Sequence, residues 1–495
     1  MKKIVFSTLL CGVLLSAQSV DEDLAGFDDT PVESVASSAD TTPAKASKTP
    51  IDDETDEIME GFDDTPTKTK NTSSDDGMMD GFDDTPTGSD QNLSNNSADE
   101  SKKPLIAGLT GEFTQQLAYS WDGDAPHDDF NSFKSSLFLD FEHKFDNGIK
   151  VKINAKAYYD SIYSLKDRED FTTQELDELE SEVELFDAYI EGKISDKFDY
   201  KIGRQVVVWG RSDTIRVTDI LNPLDNRRPG MTDIEDLRLP VTMAKFDYFL
   251  GDWRITPIAI LEQRFSKTPP FGSAMNPSPI ERPDDESYDD VTYALSVGGE
   301  FSGWDINFYA ANTHDDAGYL DLTASPIIKH EKVNMLGSAL NILSGSWLFK
   351  SELAYFDGLK YASTGDREFS RFDLLLGVEY NGIADTMISY DIVTRNIQDY
   401  DGRLLAEYNP LQKHQYQQAL RISSEFFNDT LTANYLISLY GEKLDEGGFQ
   451  RLWFKYEIAD GINANFGVVD YIGGSLLFDA IENNDMVFVD VSYSF

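Results

Sequence analysis

The stretch that decides the fold is Met486-Val487-Phe488-Val489-Asp490-Val491-Ser492-Tyr493-Ser494-Phe495. Its odd-numbered positions are apolar or aromatic, whereas its even-numbered positions are polar from Asp490 onward. Successive side chains of a β-strand point to opposite faces, so the pattern predicts a strand with one apolar and one polar face. A strand of a soluble sandwich and a strand of a membrane barrel both fit it.

The position of this strand favours the barrel. An apolar and aromatic alternation that ends on the terminal carboxylate resembles the C-terminal signal of bacterial outer-membrane β-barrels, which the barrel assembly machinery reads. In that class, Val491, Tyr493 and Phe495 would form the assembly signal. The resemblance implies two partners, the outer-membrane lipid and the assembly machinery.

The chain from 105 to 495 divides into strand-length segments with alternately short and long connections. In the segment 149–159, apolar positions alternate with Lys150, Lys152 and Lys156, which predicts a strand with one wet face. The short connections are rich in Gly, Asp, Asn and Ser and predict tight hairpin turns. These turns are Asp146-Asn147-Gly148, Ser195-Asp196-Lys197, Gly251-Asp252, Ser302-Gly303, Ser344-Gly345-Ser346, Asn381-Gly382, Asn428-Asp429 and Asp460-Gly461.

The hairpins, with a first and a last strand, predict about 18 strands, the even number that single-chain barrels have. Trp253, Trp304 and Trp347 each follow a tight turn, as in the aromatic belt at a membrane interface, although local packing within each hairpin also fits. The long connections 161–181, 210–239, 266–290 and 395–413 all emerge at the other end. We therefore predict an all-β fold, a transmembrane antiparallel up-and-down β-barrel with periplasmic turns and outer loops.

The N-terminal part is predicted to lie outside the barrel. Residues 1–19 combine a basic start, an apolar core and small residues at a cleavage site, which predicts a secretory signal peptide. The single cysteine, Cys11, lies in this segment, so we expect neither disulfides nor cysteine metal sites in the mature chain. Residues 20–104 are polar and acidic and predict a disordered periplasmic tail. The net charge of −47 argues against nucleic acid as a partner.

One hexapeptide, Gly-Phe-Asp-Asp-Thr-Pro, occurs three times in this tail, at 26–31, 61–66 and 81–86. A Phe framed by turn-forming residues can anchor a short linear motif, and three copies on one chain raise the effective concentration for a partner. A duplicated spacer or a loose cation-binding patch remains the alternative. The candidate partner-binding residues are Phe27, Asp28, Asp29, Phe62, Asp63, Asp64, Phe82, Asp83 and Asp84.

The most distinctive stretch begins at Arg204-Gln205 and ends in Trp209-Gly210. The sequence Asp219-Ile220-Leu221-Asn222-Pro223-Leu224-Asp225 follows. A Gly-Arg-Gln strand ending in Trp-Gly, followed by an Asp-(apolar)-(apolar)-Asn-Pro-x-Asp loop, resembles the domain-of-unknown-function 1302 family of outer-membrane proteins. The resemblance covers roughly 105–495 and is strongest at 185–262. It implies an association with exporters of the resistance-nodulation-division superfamily and with hydrophobic compounds.

The connection 210–239 is long, rich in Arg and Asp, and stiffened by proline. Such a loop can fold into the lumen and set selectivity, as constriction loops do in porins, and an external loop held by its own salt bridges fits equally. Strict alternation would point Arg204 into lipid, so we predict a bulge at Gly203 that turns Arg204 to the lumen. The candidate lumen residues are Arg204, Gln205, Trp209, Arg211, Asp213, Arg216, Asp219, Asn222, Asp225, Arg227, Arg228 and Arg238.

Catalytic signatures are weak. The five histidines lack His-Glu-x-x-His spacing and a neighbouring nucleophile motif. Most of them lie in or beside predicted loops, where we expect solvated imidazoles. We predict no enzymatic activity, metal or cofactor. The leading prediction is an outer-membrane channel that passes a solute, hydrophobic or amphipathic by the family resemblance, with a tail that docks a partner such as an export pump. The alternative is a non-conducting surface anchor or scaffold barrel that acts through its loops or tail.

Overall fold

The structure is a computed structural model that describes residues 108–323, 325–365 and 367–495. The predicted signal peptide (1–19), the predicted tail with its three repeats (20–104) and the predicted start of the barrel at 105 lie outside the described residues.

Eighteen antiparallel strands form one closed sheet. Each strand pairs with its neighbours along the chain, and the last strand pairs with the first, which confirms the predicted up-and-down β-barrel. The barrel strands are β1 (Leu109–Ser120), β2 (Asp129–Lys144), β3 (Lys150–Asp160), β4 (Ser181–Ser195), β5 (Phe198–Gln205), β6 (Val241–Leu250), β7 (Trp253–Ile260), β8 (Thr292–Phe301), β9 (Trp304–His314), β12 (Lys332–Ser344), β13 (Trp347–Leu359), β14 (Phe369–Ile383), β15 (Thr386–Ile397), β16 (His414–Phe426), β17 (Leu431–Tyr440), β18 (Gly448–Ala459), β19 (Ile462–Ile472) and β20 (Met486–Ser494).

The long connections carry the remaining elements. A small hairpin of β10 (Tyr319–Asp321) and β11 (Ile327–Lys329) lies between β9 and β12. Within the described ranges, the helices are α1 (Ile162–Leu165), α2 (Thr173–Leu179), α3 (Ile234–Leu237) and α4 (Leu476–Ile481), with 3-10 helices at Arg168–Asp170, Ala362–Thr364 and Gly402–Ala406. Among the described residues, no helix has the length and apolar character that crossing a membrane requires.

The strands have an apolar outer face and a polar inner face. On β13, Leu353 and Tyr355 are 38% and 42% exposed, whereas Glu352 on the opposite face is 2% exposed. The last strand follows the same rule, since Val491 is exposed and Asp490 is buried. Exposed apolar side chains on the outside of a closed barrel face lipid, so the wall is of the membrane-spanning kind.

The C-terminal residue closes the seam between β20 and β1. The Phe495 N–H donates to the carbonyl of Gly111 (2.8 Å), and the Gly111 N–H donates to the carbonyl of Phe495 (2.9 Å). The Phe495 ring lies directly over Gly111, where a Cβ atom would come within 2.5 Å of the ring. Any larger residue at 111 would therefore displace the terminal ring from this position.

The short-turn end carries the predicted aromatic residues. Trp253, Trp304 and Trp347 are the first residues of β7, β9 and β13. Trp304 and Trp347 are 43% and 46% exposed, and the Trp304 ring stacks on Phe301 with centroids 4.3 Å apart. These tryptophans therefore have the exposure expected of an interfacial belt, and Trp304 also packs on a ring of its own hairpin.

Two predicted strand boundaries are wrong. Asn381-Gly382 lies inside β14, and the turn falls three residues later, at Ala384-Asp385. The ladder shifts register between Tyr380 and Ile383, and Asp385 takes the left-handed conformation (φ 53°) that the turn requires. The strand expected to reach 209 ends at Gln205, because the chain leaves the wall there.

Candidate functional site

The connection between β5 and β6, residues 206–240, lies in the lumen and is called the lumenal loop below. Its buried apolar side chains pack with inward-facing residues of the opposite wall, among them Met335, Ala354 and Val393. The lumenal loop members of this cluster are Val207, Trp209, Ile215, Val217 and Leu221. Of the two arrangements that the sequence left open, the structure therefore has the internal one.

The family motif builds the base of the lumenal loop. Asn222 Oδ1 accepts a hydrogen bond from the Val207 N–H (2.8 Å), and its Nδ2 donates to the carbonyl of Leu239 (2.9 Å). This one amide thus joins the two ends of the loop. Asp219 pairs with Arg238 (2.9 Å) and Arg216 (3.2 Å), which places three of the predicted residues in one network.

Glu352 of β13 anchors the first half of the lumenal loop. Its buried carboxylate accepts from the backbone N–H groups of Arg211 (2.6 Å), Ser212 (3.0 Å) and Thr218 (3.1 Å). It also accepts from the Thr218 hydroxyl (2.8 Å). One carboxylate therefore satisfies four donors that would otherwise be without an acceptor inside the barrel.

Other wall residues hold the same half of the loop. Asp391 of β15 accepts from the hydroxyls of Ser212 and Thr214, both at 2.7 Å. Predicted residue Asp213 pairs with Lys350 (3.2 Å), and predicted residue Arg211 pairs with Asp305.

The second half of the loop is anchored further round the wall, on strands that follow β15. Asp233 pairs with Arg451 of β18 and with Arg421 of β16 (3.4 Å). The Tyr471 hydroxyl of β19 donates to the carbonyl of Pro229 (2.6 Å). The two halves of the loop are therefore held by one consecutive run of wall strands, β13 to β19.

Predicted residues Asp225, Arg227 and Arg228 meet the β3–β4 wall. Arg227 pairs with Asp225 (2.5 Å) and with Glu182 (2.6 Å), and Arg228 pairs with Asp160 (3.2 Å). Burial acts to raise the pKa of Asp225, but the hydrogen bonds and charge of Arg227 outweigh it and hold that pKa below its usual range. Asp225 therefore stays ionised beside Arg227.

Two cavities meet at this charge group. The inner cavity, of about 330 Å³, lies between the lumenal loop and the inner faces of β1–β4. The outer cavity, of about 300 Å³, lies between the lumenal loop and the connection that follows β7. Glu182 and Arg227 line both cavities, so their ion pair borders the inner and the outer cavity alike.

Arg204 does not follow the prediction. Pairing with β4 and β6 is continuous to Gln205, and the register gives Arg204 the face of Ala188 and Thr242, which is the outer face. The predicted bulge at Gly203 is wrong, because this glycine serves a close approach of β4. A Cβ atom there would lie 2.2 Å from the carbonyl oxygen of Ala188. The guanidinium of Arg204 instead reaches Glu184 (3.2 Å) and Glu262 (3.0 Å).

Gln205 and Trp209 follow Arg204 into the interior. The buried Gln205 amide donates to the carbonyl of Met243 (3.2 Å), and the Trp209 ring stacks on Tyr309 with centroids 4.6 Å apart. Glu352, Asp391, Asp233 and Glu182 were missed. The signal that could have found the two wall residues Glu352 and Asp391 is a carboxylate on the polar face of a predicted strand.

The expectation of solvated loop histidines is wrong for two of them. His330 and His314 are 0% and 8% exposed. His330 Nε2 lies 3.1 Å from a carboxylate oxygen of Asp285, and His314 Nε2 lies 3.0 Å from Asp290. Packing among the external connections buries these rings, which a local sequence pattern does not reveal.

A closed barrel with a lipid-facing exterior and a folded loop across its lumen defines a class, the membrane-spanning β-barrels with an internal constriction. A family model described as "Protein of unknown function (DUF1302)" matches residues 35–495. The chain belongs to this family, which confirms the resemblance seen in the sequence. The match begins earlier than the resemblance and includes two of the three tail repeats.

Several solved barrels are similar in fold. OccK8 (OprE) of Pseudomonas aeruginosa has a TM-score of 0.45 at 13% identity, covering 79% of this chain and 99% of that chain. OccK9 (OpdG) of the same organism has a TM-score of 0.48 at 11% identity, with 78% and 97% covered. OccAB3 of Acinetobacter baumannii has a TM-score of 0.47 at 12% identity, with 79% and 100% covered. Comparison with curated proteins gives no match.

Proposed function

We propose that this protein is an outer-membrane channel whose passage is controlled by the lumenal loop. The observation that carries the proposal is the pair of cavities that share Glu182 and Arg227 in their linings. The proposed route runs along the β1–β4 wall through both cavities, and its narrow point is the ion pair of these two side chains. Side chains can move aside without unfolding the wall, so a solute can pass.

The lining of the inner cavity favours an amphipathic solute. Phe138 and Phe186 supply aromatic surface, and the ammonium of Lys156 lies 3.8 Å from the centroid of the Phe186 ring. Lys134 lines the same cavity. The Lys134 ammonium lies 5.5 Å from the centroid of the Tyr158 ring, so both lysines present a cation beside an aromatic ring in the cavity wall.

Shortening the lumenal loop tests the channel. Replacement of 210–239 by a short Gly-Ser linker should raise single-channel conductance in planar bilayers several-fold, because an 18-stranded barrel is wide enough for an aqueous lumen once emptied. The matched control removes 322–326, the tip between β10 and β11, and should leave conductance unchanged. Heat-modifiable gel mobility shows whether the shortened protein is folded. A folded barrel that does not conduct after the loop is shortened would contradict the channel and support the anchor alternative.

We also propose that the acidic tail docks a periplasmic or inner-membrane partner, such as an export pump. The three repeats support this proposal, as does the start of β1 at the short-turn end, the periplasmic end in barrels of this class. A synthetic peptide spanning 20–104 should recover the partner from a membrane extract. The same peptide with Phe27, Phe62 and Phe82 replaced by Ala should not. Equal recovery by both peptides would reject the repeats as the binding element.

A further inference from the structure

The wall of the barrel is interrupted between β4 and β6. The topmost pair of β4 and β5 is Ala188 with Arg204, and β5 ends one residue later. β4 continues upward to Ser181. In the described ladders, residues 181–185 of β4 pair with β3 alone, so the edge that faces β6 has no strand beside it.

The outer surface beside the interruption is apolar. β5 has 8 residues, fewer than the usual 9–11 for a membrane strand. At ordinary strand rise and barrel tilt, 8 residues span about 20 Å, less than the apolar band of about 25 Å. Val183 and Leu185, on the uncovered part of β4, are 84% and 48% exposed and face outward. The lipid-facing surface therefore continues beside the gap, toward the outer leaflet.

Side chains bridge the gap in place of a hydrogen-bonded strand. Three cations converge on Glu184, namely Arg204 (3.2 Å), Arg264 (2.5 Å) and Lys267 (3.5 Å). Glu262 completes the bridge, since it pairs with Arg204 and accepts from the Thr242 N–H (2.9 Å). Ion pairs of this kind open by side-chain rotation, whereas a ladder of backbone bonds must be broken in register.

The inner cavity lies directly behind the gap. Glu182 and Glu184 line that cavity, and Phe186, two residues further along β4, forms part of its aromatic surface. The lumenal loop contributes Leu237 and Leu239 to the same lining. A molecule that parts the ion pairs at Glu184 would therefore move from lipid into a cavity with both apolar and cationic walls.

We propose that this gap is a lateral portal between the inner cavity and the outer leaflet, and that it takes an amphipathic molecule with a carboxylate head. The head would replace Glu184 as the partner of Arg204, Arg264 and Lys267, and the chain would stay beside Val183 and Leu185. The portal rests on the proposed channel function, because it names the solute class and the route by which that solute enters or leaves.

The test places a fluorescent amino acid at Phe186, inside the cavity, in phosphatidylcholine vesicles. Spin-labelled stearate (doxyl-stearate) is the quencher. The double variant Glu184→Cys/Arg264→Cys allows the gap to be closed by a reducible thiol cross-linker, because the only cysteine of the chain is Cys11. Doxyl-stearate should quench the uncross-linked protein, cross-linking should abolish quenching, and reduction should restore it.

A matched staple controls for cross-linking itself. Ser351→Cys/Leu376→Cys joins two outward-facing residues that are already paired across β13 and β14. Its cross-linking should leave quenching unchanged. Quenching that persists after the gap is cross-linked would overturn the portal. The absence of quenching in every variant that gel mobility shows to be folded would overturn it as well. In the protein that carries the fluorophore but keeps Glu184 and Arg264, equal quenching by the methyl ester of doxyl-stearate would overturn the carboxylate head.

Conductance of the same proteins separates this proposal from the channel itself. Ion flow along the barrel axis should survive the staple, because the staple closes only the wall. Staple-sensitive quenching without conductance would reject the channel and retain the lateral portal. Conductance without quenching would reject the portal and retain the channel.

Discussion

Glu352→Ala is expected to release the lumenal loop from β13 and to raise the open probability of the channel. The substitution removes the acceptor of four hydrogen bonds, three of them from backbone N–H groups of the loop. Each buried donor left without an acceptor costs about 1–3 kcal/mol, so the closed position of the loop should lose several kcal/mol. Single-channel recording measures the open probability, and protease cleavage within the loop reports its release.

Two further variants make this result specific. Glu352→Gln keeps one acceptor oxygen but turns an NH2 group toward the donors, so it should give a smaller effect in the same direction. Glu425→Ala removes an exposed carboxylate at the short-turn end of β16 and should change neither measurement. Unaltered open probability and unaltered cleavage in Glu352→Ala would show that this anchor does not hold the loop.

Arg227→Ala is expected to join the two cavities and to make the channel more cation-selective. The variant removes the cation that pairs with Asp225 and Glu182 at the narrow point and leaves two carboxylates facing the route. Arg227 now holds the pKa of Asp225 down, so in the variant burial should raise that pKa. Cation selectivity should therefore strengthen as pH rises and weaken on acidification, which the reversal potential in a KCl gradient measures.

The control for Arg227→Ala is Arg403→Ala. Arg403 carries the same charge but lies on an external connection, where its side chain is 57% exposed and pairs with Asp401. Loss of this distant charge should leave the reversal potential in place. The assignment of Arg227 to the narrow point fails if both variants shift the reversal potential equally, or if neither does.

The wall could be predicted from the sequence because its signals are local. Apolar and polar residues alternate along each strand, and turn-forming residues follow at each hairpin. Both signals lie in consecutive residues and do not depend on distant contacts. Asn381-Gly382 shows the limit of such signals. The dipeptide suits a tight turn, yet β14 runs past it, because the ladder with β15 sets where the hairpin ends.

The candidate site was less predictable because its contacts are distant in the chain. Arg211 and Glu352 are 141 residues apart, and nothing near Glu352 indicates a loop that needs its carboxylate. The charges and prolines of 210–239 fitted a lumenal constriction and an external loop equally well. Contacts with residues of the opposite wall decide between the two, and these residues are distant in the sequence. The sequence analysis turned Arg204 inward because an unpaired guanidinium in lipid is unfavourable. It did not foresee that Glu184 and Glu262, which lie outside β5, would pair with Arg204 on the outer face.

The enclosure of the lumenal loop also constrains the order of events in biogenesis. The loop is anchored to strands that precede it, β3 and β4, and to strands that follow it as far as β19. These later strands are synthesised after the loop, and the pairing of Phe495 with Gly111 seals the ring around it. The anchors on β13 to β19 can form only after those strands have been synthesised. The loop therefore acquires its fixed position late in biogenesis, well after its own residues have left the ribosome.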